Sequence, residues 1–319
     1  MAVTVVRYMK DGATRWGVVR DGKIVEVDTQ SRTTGEFVSA WPLATLAQAQ
    51  GATLRFDEVA ILSPVTQNQQ FVCLGANYRQ HMIESGIDPD VKRFNMMFTK
   101  ASNCIVPANS DVVRPTEVKF LDYEIELGVV MRSAITARRN VTEADLPDLI
   151  AGLTIVNDYS ARDIQIPQMQ FYKGKSFRTF GPVGPYLVLL APEDFRQLNA
   201  LDLTLTVNGT VRQKDNTRNL VFKVPETLTE LSGVHDLAPG DLIATGTPAG
   251  CALTVPPPAV QRIMGLFPER KKWEFFLKKQ ASRPQYLKSG DVVEARIVSA
   301  DGRIDLGCQR NRIVDEAAR

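Results

Sequence analysis

The chain has 319 residues, 44% hydrophobic and 23% charged, enough for one large domain or two ordinary ones and too apolar for a disordered or collagen-like architecture. Its 38 Lys and Arg stand against 36 Asp and Glu, a formal net charge of +2, which excludes a global basic field for nucleic acid and leaves charged partners to be met locally. The only two histidines, His81 and His235, exclude metal sites needing more imidazoles than that pair, and the four dispersed cysteines form neither a C-x-x-C ribbon nor a disulfide framework.

The N-terminus carries no apolar core behind a basic start, and no apolar run approaches the roughly 20 residues of a membrane span. A cytoplasmic protein without a membrane partner is therefore expected. Short strands are predicted at 3–8, 16–20 and 23–27, separated by Asp11-Gly12 and Asp21-Gly22 turns of the hairpin type. A helix is predicted at 43–50, and Ser63-Pro64-Val65 reads as a linker. The chain thus divides into a small β-rich N-terminal domain at 1–65 and a main body at 66–319 dominated by Val-, Ile- and Leu-rich strands. A helix at 143–153 is predicted behind Thr142 as N-cap, with Asp145 in a weaker capping box. Asn208-Gly209 reads as another hairpin turn. After Pro256-Pro257-Pro258 breaks the chain, the segment 262–288 holds eight basic residues against two acidic ones, which makes 256–288 a basic insertion. Trp273, Phe276 and Leu277 at helical spacing predict an amphipathic helix there, after Pro268, packed on its own domain or on a partner subunit with a solvated basic face.

Chemistry enters at Leu121-Asp122-Tyr123-Glu124-Ile125-Glu126-Leu127, whose alternation predicts a strand over 121–130 with Asp122, Glu124 and Glu126 on one face. Next-neighbour carboxylates on such a face have α-carbons roughly 6.5 to 7 Å apart, close enough to converge on one cation; the alternative is a polar face in water. A second predicted strand ends in Asn157-Asp158, which supplies another oxygen ligand, and two glutamates with an aspartate suit Mg²⁺ or Mn²⁺. His81 and Glu84 share a face if their segment is helical, so the carboxylate can orient the imidazole as a general base; the alternative is an exposed helix end stopped by Gly86. Tyr172-Lys173-Gly174-Lys175-Ser176 imitates a phosphate-binding loop but has Met169 where that motif needs glycine, leaving Lys175 as a fixed cation for a carboxylate or oxyanion. Cys73, between Val72 and Leu74, reads as a strand thiol.

Six segments in order, C-L-G-x-N-Y-x-x-H-x-x-E from Cys73, D-Y-E-x-E-L from Asp122, N-D-Y-S-A-R-D-I-Q from Asn157, G-K-S-F-x-T-F-G-P from Gly174, V-N-G-x-x-R-Q from Val207 and T-G-T-P from Thr245, resemble the fumarylacetoacetate hydrolase family. The resemblance implies a β-rich α+β fold, a mixed β-sandwich roll with a small N-terminal α/β domain, in a homodimer. It implies Mg²⁺ or Mn²⁺, with Ca²⁺ able to replace them in crystals, on Glu124, Glu126 and Asp158. It implies a water-activating pair of His81 and Glu84 on a mobile lid, Lys175 as a catalytic cation, and substrate contacts from Lys100, Tyr172, Arg178 and Thr247. The implied reaction is hydrolysis of a carbon–carbon bond in a 2,4-dioxo acid such as an acylpyruvate, fumarylpyruvate or diketo-deoxy sugar acid, giving pyruvate and a carboxylic acid. The same residues suit oxaloacetate decarboxylation or dienedioate isomerisation, and a catalytically silent oligomer is the non-enzymatic alternative. Three departures bear on the substrate: Arg178 stands where many relatives carry aspartate, Ala76 where some carry arginine, and the 256–288 insertion exceeds the short connection expected.

Overall fold

The computed structural model describes residues 1–91, 94–256, 260 and 266–316. A thirteen-stranded mixed sheet has as its main path Thr53–Leu54, Lys23–Val27, Ala13–Arg20, Val3–Lys10, Leu187–Leu189, Ile150–Asn157, Ile125–Met131, Leu242–Ala244, Phe71–Gly75 and Met96–Thr99. A five-stranded sheet runs Thr210–Asn216, Leu201–Val207, Val292–Ser299, Asp305–Asp315 and Val112–Arg114. Ile125, Leu127 and Val129 pack with Leu203, Leu205 and Val293 of the smaller sheet, whereas Val130, Ala151 and Val156 pack on the other side with Val5, Trp16 and Phe37. The central strands are therefore buried on both faces, which is why Ile125–Met131 and Ile150–Asn157 are buried throughout. The result is the β-rich α+β architecture expected.

The N-terminal hairpins form as read. Asp11-Gly12, Asp21-Gly22 and Asn208-Gly209 all adopt positive φ, the geometry that two-residue turns between twisted strands require. The strand Val3–Lys10 pairs with Leu187–Leu189 through Val3↔Leu189 and Val5↔Leu187, so the first segment extends the sheet of the main body.

Three expectations need correction. The strand over 121–130 breaks at Tyr123 and Glu124, because their amides are taken by the Asp122 carboxylate at 2.9 Å and the Asn157 side chain at 3.0 Å. Leu121–Asp122 pairs instead with Ser160–Ala161. The helix expected over 143–153 shrinks to a 3₁₀ turn Glu143–Asp145 and one turn Leu146–Leu149; from Ile150 the chain is a central strand, and tertiary pairing outweighs local helix signals. The helix near residue 43 is short, Leu43–Ala47, and a helix Thr34–Ala40 precedes it. Its signal was legible: Thr33 and Glu36 form a reciprocal capping box.

In the basic insertion, residues 257–259 and 261–265, including Arg262, lie outside the described residues. The expected helix follows Pro268 as Glu269–Ala281, with Arg270, Lys271, Lys278 and Lys279 exposed, Lys272, Trp273 and Phe276 half-buried and Gln280 buried; Leu277, expected on the packed face, is exposed.

Candidate active site

Three carboxylates converge on one face of the central sheet. Glu126 lies opposite Val156 in the antiparallel register, and the Asp158 amide donates to the Glu124 carbonyl at 2.8 Å, so the ends of the two strands bring Glu124, Glu126 and Asp158 together. Ligand oxygens of the three lie within 4.8 Å of one another, and all three residues are buried. Asp122 does not join them. Its carboxylate receives the Arg162 Nε at 2.8 Å and the amides of Ala252 and Leu253 at 2.7 and 3.0 Å.

Buried cations surround the cluster. Lys175 Nζ donates to Glu124 Oε2 at 2.7 Å, Asp158 Oδ2 at 2.6 Å and Ser160 Oγ at 2.8 Å. Lys100 Nζ donates to Asp158 Oδ1 at 2.5 Å and to the Phe180 carbonyl at 2.8 Å. Arg162 joins Asp122 to Glu124 Oε1, and its remaining nitrogen meets Gln165 Oε1 at 2.8 Å. Lys175 sits at the end of the helix Phe171–Lys175, and Gly174 lets that helix close on Arg162–Gln165: an added Cβ would stand 2.7 Å from the Gln165 Cβ. Burial raises the Glu124 carboxyl, but Arg162 and Lys175 outweigh it and hold the group down to about 2. Burial pushes Glu126 the other way, well above the carboxylate range, and Asp158 and Glu124 add to the push. For Lys175 burial lowers the ammonium, while Asp158 and Glu124 raise it by more.

The remaining expected residues distribute unevenly. His81 and Glu84 share the helix Arg79–Glu84, His81 half-buried and Glu84 exposed. Among the described residues the His81 ring makes no hydrogen bond, and Glu84 accepts from Gln80 at 3.3 Å, so the expected contact between the two is not made here. Burial lowers the His81 pKa, and the Glu124 charge opposes that, which puts the imidazole within electrostatic reach of the cluster. Thr247 is buried, its hydroxyl donating to the Ile125 carbonyl at 2.9 Å and accepting from Gln213 at 2.8 Å. Tyr172 and Arg178 are exposed and line a separate cavity of about 670 Å³ with Glu117, Asp163 and Lys173. Ala76, at φ 41°, lines an apolar cavity of about 620 Å³ beside the His81 helix, with Met82, Ile87, Phe94 and Met96.

The family profile described as "Fumarylacetoacetate (FAA) hydrolase C-terminal" matches residues 70–314. The chain belongs to the fumarylacetoacetate hydrolase family. Residues 4–64 match the profile "Rv2993c-like, N-terminal". The 2,4-didehydro-3-deoxy-L-rhamnonate hydrolase of Sphingomonas sp. (strain SKA58) is 33% identical over 91% of this chain and 90% of its own. Oxaloacetate tautomerase YisK of Bacillus subtilis (strain 168) is 38% identical over 64% of this chain and 67% of its own. Among solved structures, a fumarylacetoacetate hydrolase from psychrophilic Exiguobacterium antarcticum aligns with TM-score 0.74 at 28% identity, covering 98% of this chain and 100% of that one. The fumarylacetoacetate hydrolase family thus spans hydrolase and tautomerase relatives of this chain.

Family enzymes are typically metal-dependent, and this chain's residues fit a divalent cation. Four carboxyl groups, Asp122, Glu124, Glu126 and Asp158, face three cations, Lys100, Arg162 and Lys175, in a buried space, and among the described residues Glu126 has no cationic partner and accepts only from the Gly246 amide at 2.8 Å. A hard cation on three carboxylate oxygens would relieve that imbalance. Arg162, Gln165 and Gln213 organise the site without belonging to the expected set. Arg162 and Gln165 lie in the N-D-Y-S-A-R-D-I-Q segment. Gln213, in V-N-G-x-x-R-Q, accepts from the Ile125 amide at 3.0 Å and donates to Thr247 and the Pro248 carbonyl, clamping the T-G-T-P loop over the acidic strand.

Proposed function

We propose that this protein hydrolyses the carbon–carbon bond of a 2,4-dioxo acid to pyruvate and a carboxylic acid, using Mg²⁺ or Mn²⁺. The observation that carries the reading is the convergence of Glu124, Glu126 and Asp158, braced by Lys175, within electrostatic reach of a half-buried His81. When bound by those three carboxylates, the cation supplies a Lewis acid and a template for the 2-oxo acid end. His81, kept neutral by burial, accepts a proton from the water that attacks the distal carbonyl. The electron pair of the broken bond leaves with the pyruvate half as its enolate, which takes up a proton. Lys175 holds Glu124 and Asp158 in register, and its charge favours oxygen anions nearby. On this reading the protein acts in the cytoplasm as a homodimer on a small oxo acid, with no nucleic-acid or membrane partner. Residues 66–319 form its catalytic unit and 1–65 an accessory domain. Among the described residues no helix is long and apolar enough to cross a membrane.

A second reading, tautomerisation of oxaloacetate, is favoured by the unmade His81–Glu84 contact and the relatives bearing that name. It needs proton relocation but no attacking water. Proton NMR of reactions with an acylpyruvate and with oxaloacetate, each with Mn²⁺, separates the two. Pyruvate plus the matching carboxylate is expected from the acylpyruvate; exclusive keto–enol exchange of oxaloacetate would overturn the hydrolase reading. Decarboxylation would release CO₂ from oxaloacetate.

His81→Ala is expected to lower kcat by about 10²- to 10⁴-fold while Mn²⁺ affinity stays unchanged. Because burial depresses the imidazole pKa, the acid limb of kcat/KM in the wild type is expected below the ordinary 6.5, with activity falling as His81 protonates. Loss of Mn²⁺ binding in this variant would make His81 a ligand instead.

A further inference from the structure

The basic insertion reaches the acid cluster through a continuous run of hydrogen bonds. Arg283 Nε donates to the Ala252 carbonyl at 2.6 Å, and the buried Gln280 side chain donates to the Thr254 carbonyl at 3.1 Å. Gln280 is itself fixed by the Tyr286 hydroxyl, 2.7 Å from its Oε1, and the Tyr286 ring packs on Phe120 with centroids 5.0 Å apart. The segment 252–254 so held presents the Ala252 and Leu253 amides to the two oxygens of Asp122. Asp122 receives the Arg162 Nε, and the same guanidinium grips Glu124 Oε1. A guanidinium is planar, so fixing its Nε against Asp122 also fixes the direction in which its far nitrogen meets Glu124.

We propose that Arg283, seconded by Gln280, is a positioning residue for the acid cluster: by clamping 252–254 it holds Asp122 in the pose that aims Arg162 at Glu124, and so tunes affinity for a divalent cation. The inference rests on the reading that Glu124, Glu126 and Asp158 hold the cation. It assigns the insertion an inward role, distinct from a lid or a subunit contact. Partners behind metal ligands typically govern affinity by 10- to 100-fold, and Arg283 acts through residues 252–254, Asp122 and Arg162, so its loss is expected to cost at most about tenfold.

The test uses the full chain, with Mn²⁺ binding followed by electron paramagnetic resonance and calorimetry. In Arg283→Met, which keeps an apolar stem without the donor, the Mn²⁺ dissociation constant is expected to rise by up to about tenfold and kcat to fall with little change in KM. Arg283→Lys, which retains a donor, is expected to recover most of the affinity. Asp122→Asn is expected to make Arg283→Met nearly silent, because the two act in series. Wild-type Mn²⁺ affinity in Arg283→Met, or additive losses in the double variant, would overturn the proposal alone. Failure of the wild type to bind Mn²⁺ would overturn the metal reading and this proposal with it. Gln280→Met, which removes only the Thr254 clamp, carries the same test if Arg283→Met is insoluble: weaker Mn²⁺ binding supports the proposal and wild-type binding overturns it.

Discussion

Replacing Glu126 with Gln is expected to abolish metal-induced stabilisation while leaving the metal-free protein at least as stable as the wild type. The two halves of that result have one cause. Glu126 is buried beside Asp158 and Glu124, its carboxyl is pushed up first by burial and then by those anions, and among the described residues it accepts only from the Gly246 amide at 2.8 Å. A neutral amide oxygen can accept the same bond without adding charge, so the metal-free fold loses nothing. A cation held by Glu124, Glu126 and Asp158 would, by contrast, lose one of its three anionic ligands. A ligand at a hundred times its Kd adds about 2.7 kcal/mol to the folded state. At roughly 2–4 °C per kcal/mol for larger domains, that is a wild-type Tm rise of several degrees with Mn²⁺. Glu126→Gln should show none of it, and kcat/KM should fall roughly 10³-fold, the equivalent of the several kcal/mol a Lewis acid supplies. A full Mn²⁺-induced rise in Tm in this variant would remove Glu126 from the ligand set.

Lys175→Met is expected to act in the opposite direction on the metal-free protein. The ammonium binds Glu124 at 2.7 Å and Asp158 at 2.6 Å inside the core. Without it Glu124 keeps Arg162 and Asp158 keeps Lys100, but one fewer positive charge faces the same carboxylates. Deleting one partner of a buried pair costs about 3–5 kcal/mol because the other charge stays behind. The EDTA-treated variant should therefore melt many degrees below the wild type. Mn²⁺ should recover more of its Tm than it adds to the wild type, since a cation replaces the missing charge. Activity should remain down by roughly 10²- to 10³-fold, the usual loss when a preorganised electrostatic contact is deleted. Metal-free Lys175→Met with a wild-type Tm would show that the three contacts of Lys175 carry no net stabilisation.

The three clustered carboxylates are readable because strand alternation places Glu124 and Glu126 two apart, and Asn157-Asp158 ends a strand that the fold pairs with theirs. Asp122 obeyed the same alternation and yet left the cluster. Its carboxylate takes the Tyr123 amide, and the Ala252 and Leu253 amides, 130 and 131 positions away, claim it as well. The helix expected at 143–153 failed for a similar reason, since Ile150–Asn157 lies between two strands of the central sheet and is buried end to end. Arg162 stood in plain view in a quoted segment. Its local partner Gln165 says nothing of the acid cluster, and its two acidic partners, Glu124 and Asp122, are 38 and 40 residues away. Lys100 lies buried against Asp158, 58 residues on, a pairing that no local pattern announces.

The hairpin turns, the β-rich class, the family and the three candidate carboxylates are legible in residue types and in short motifs taken in order. Tertiary packing alone sets which cations meet which anions, leaves Glu126 without a cationic partner among the described residues, and ties the insertion's helix to the cluster through residues 252–254. Those outcomes depend on a buried charge finding its partner across the fold, because in a low-dielectric interior a carboxylate is held by whatever the packing brings within hydrogen-bonding distance, and sequence separation places no limit on that.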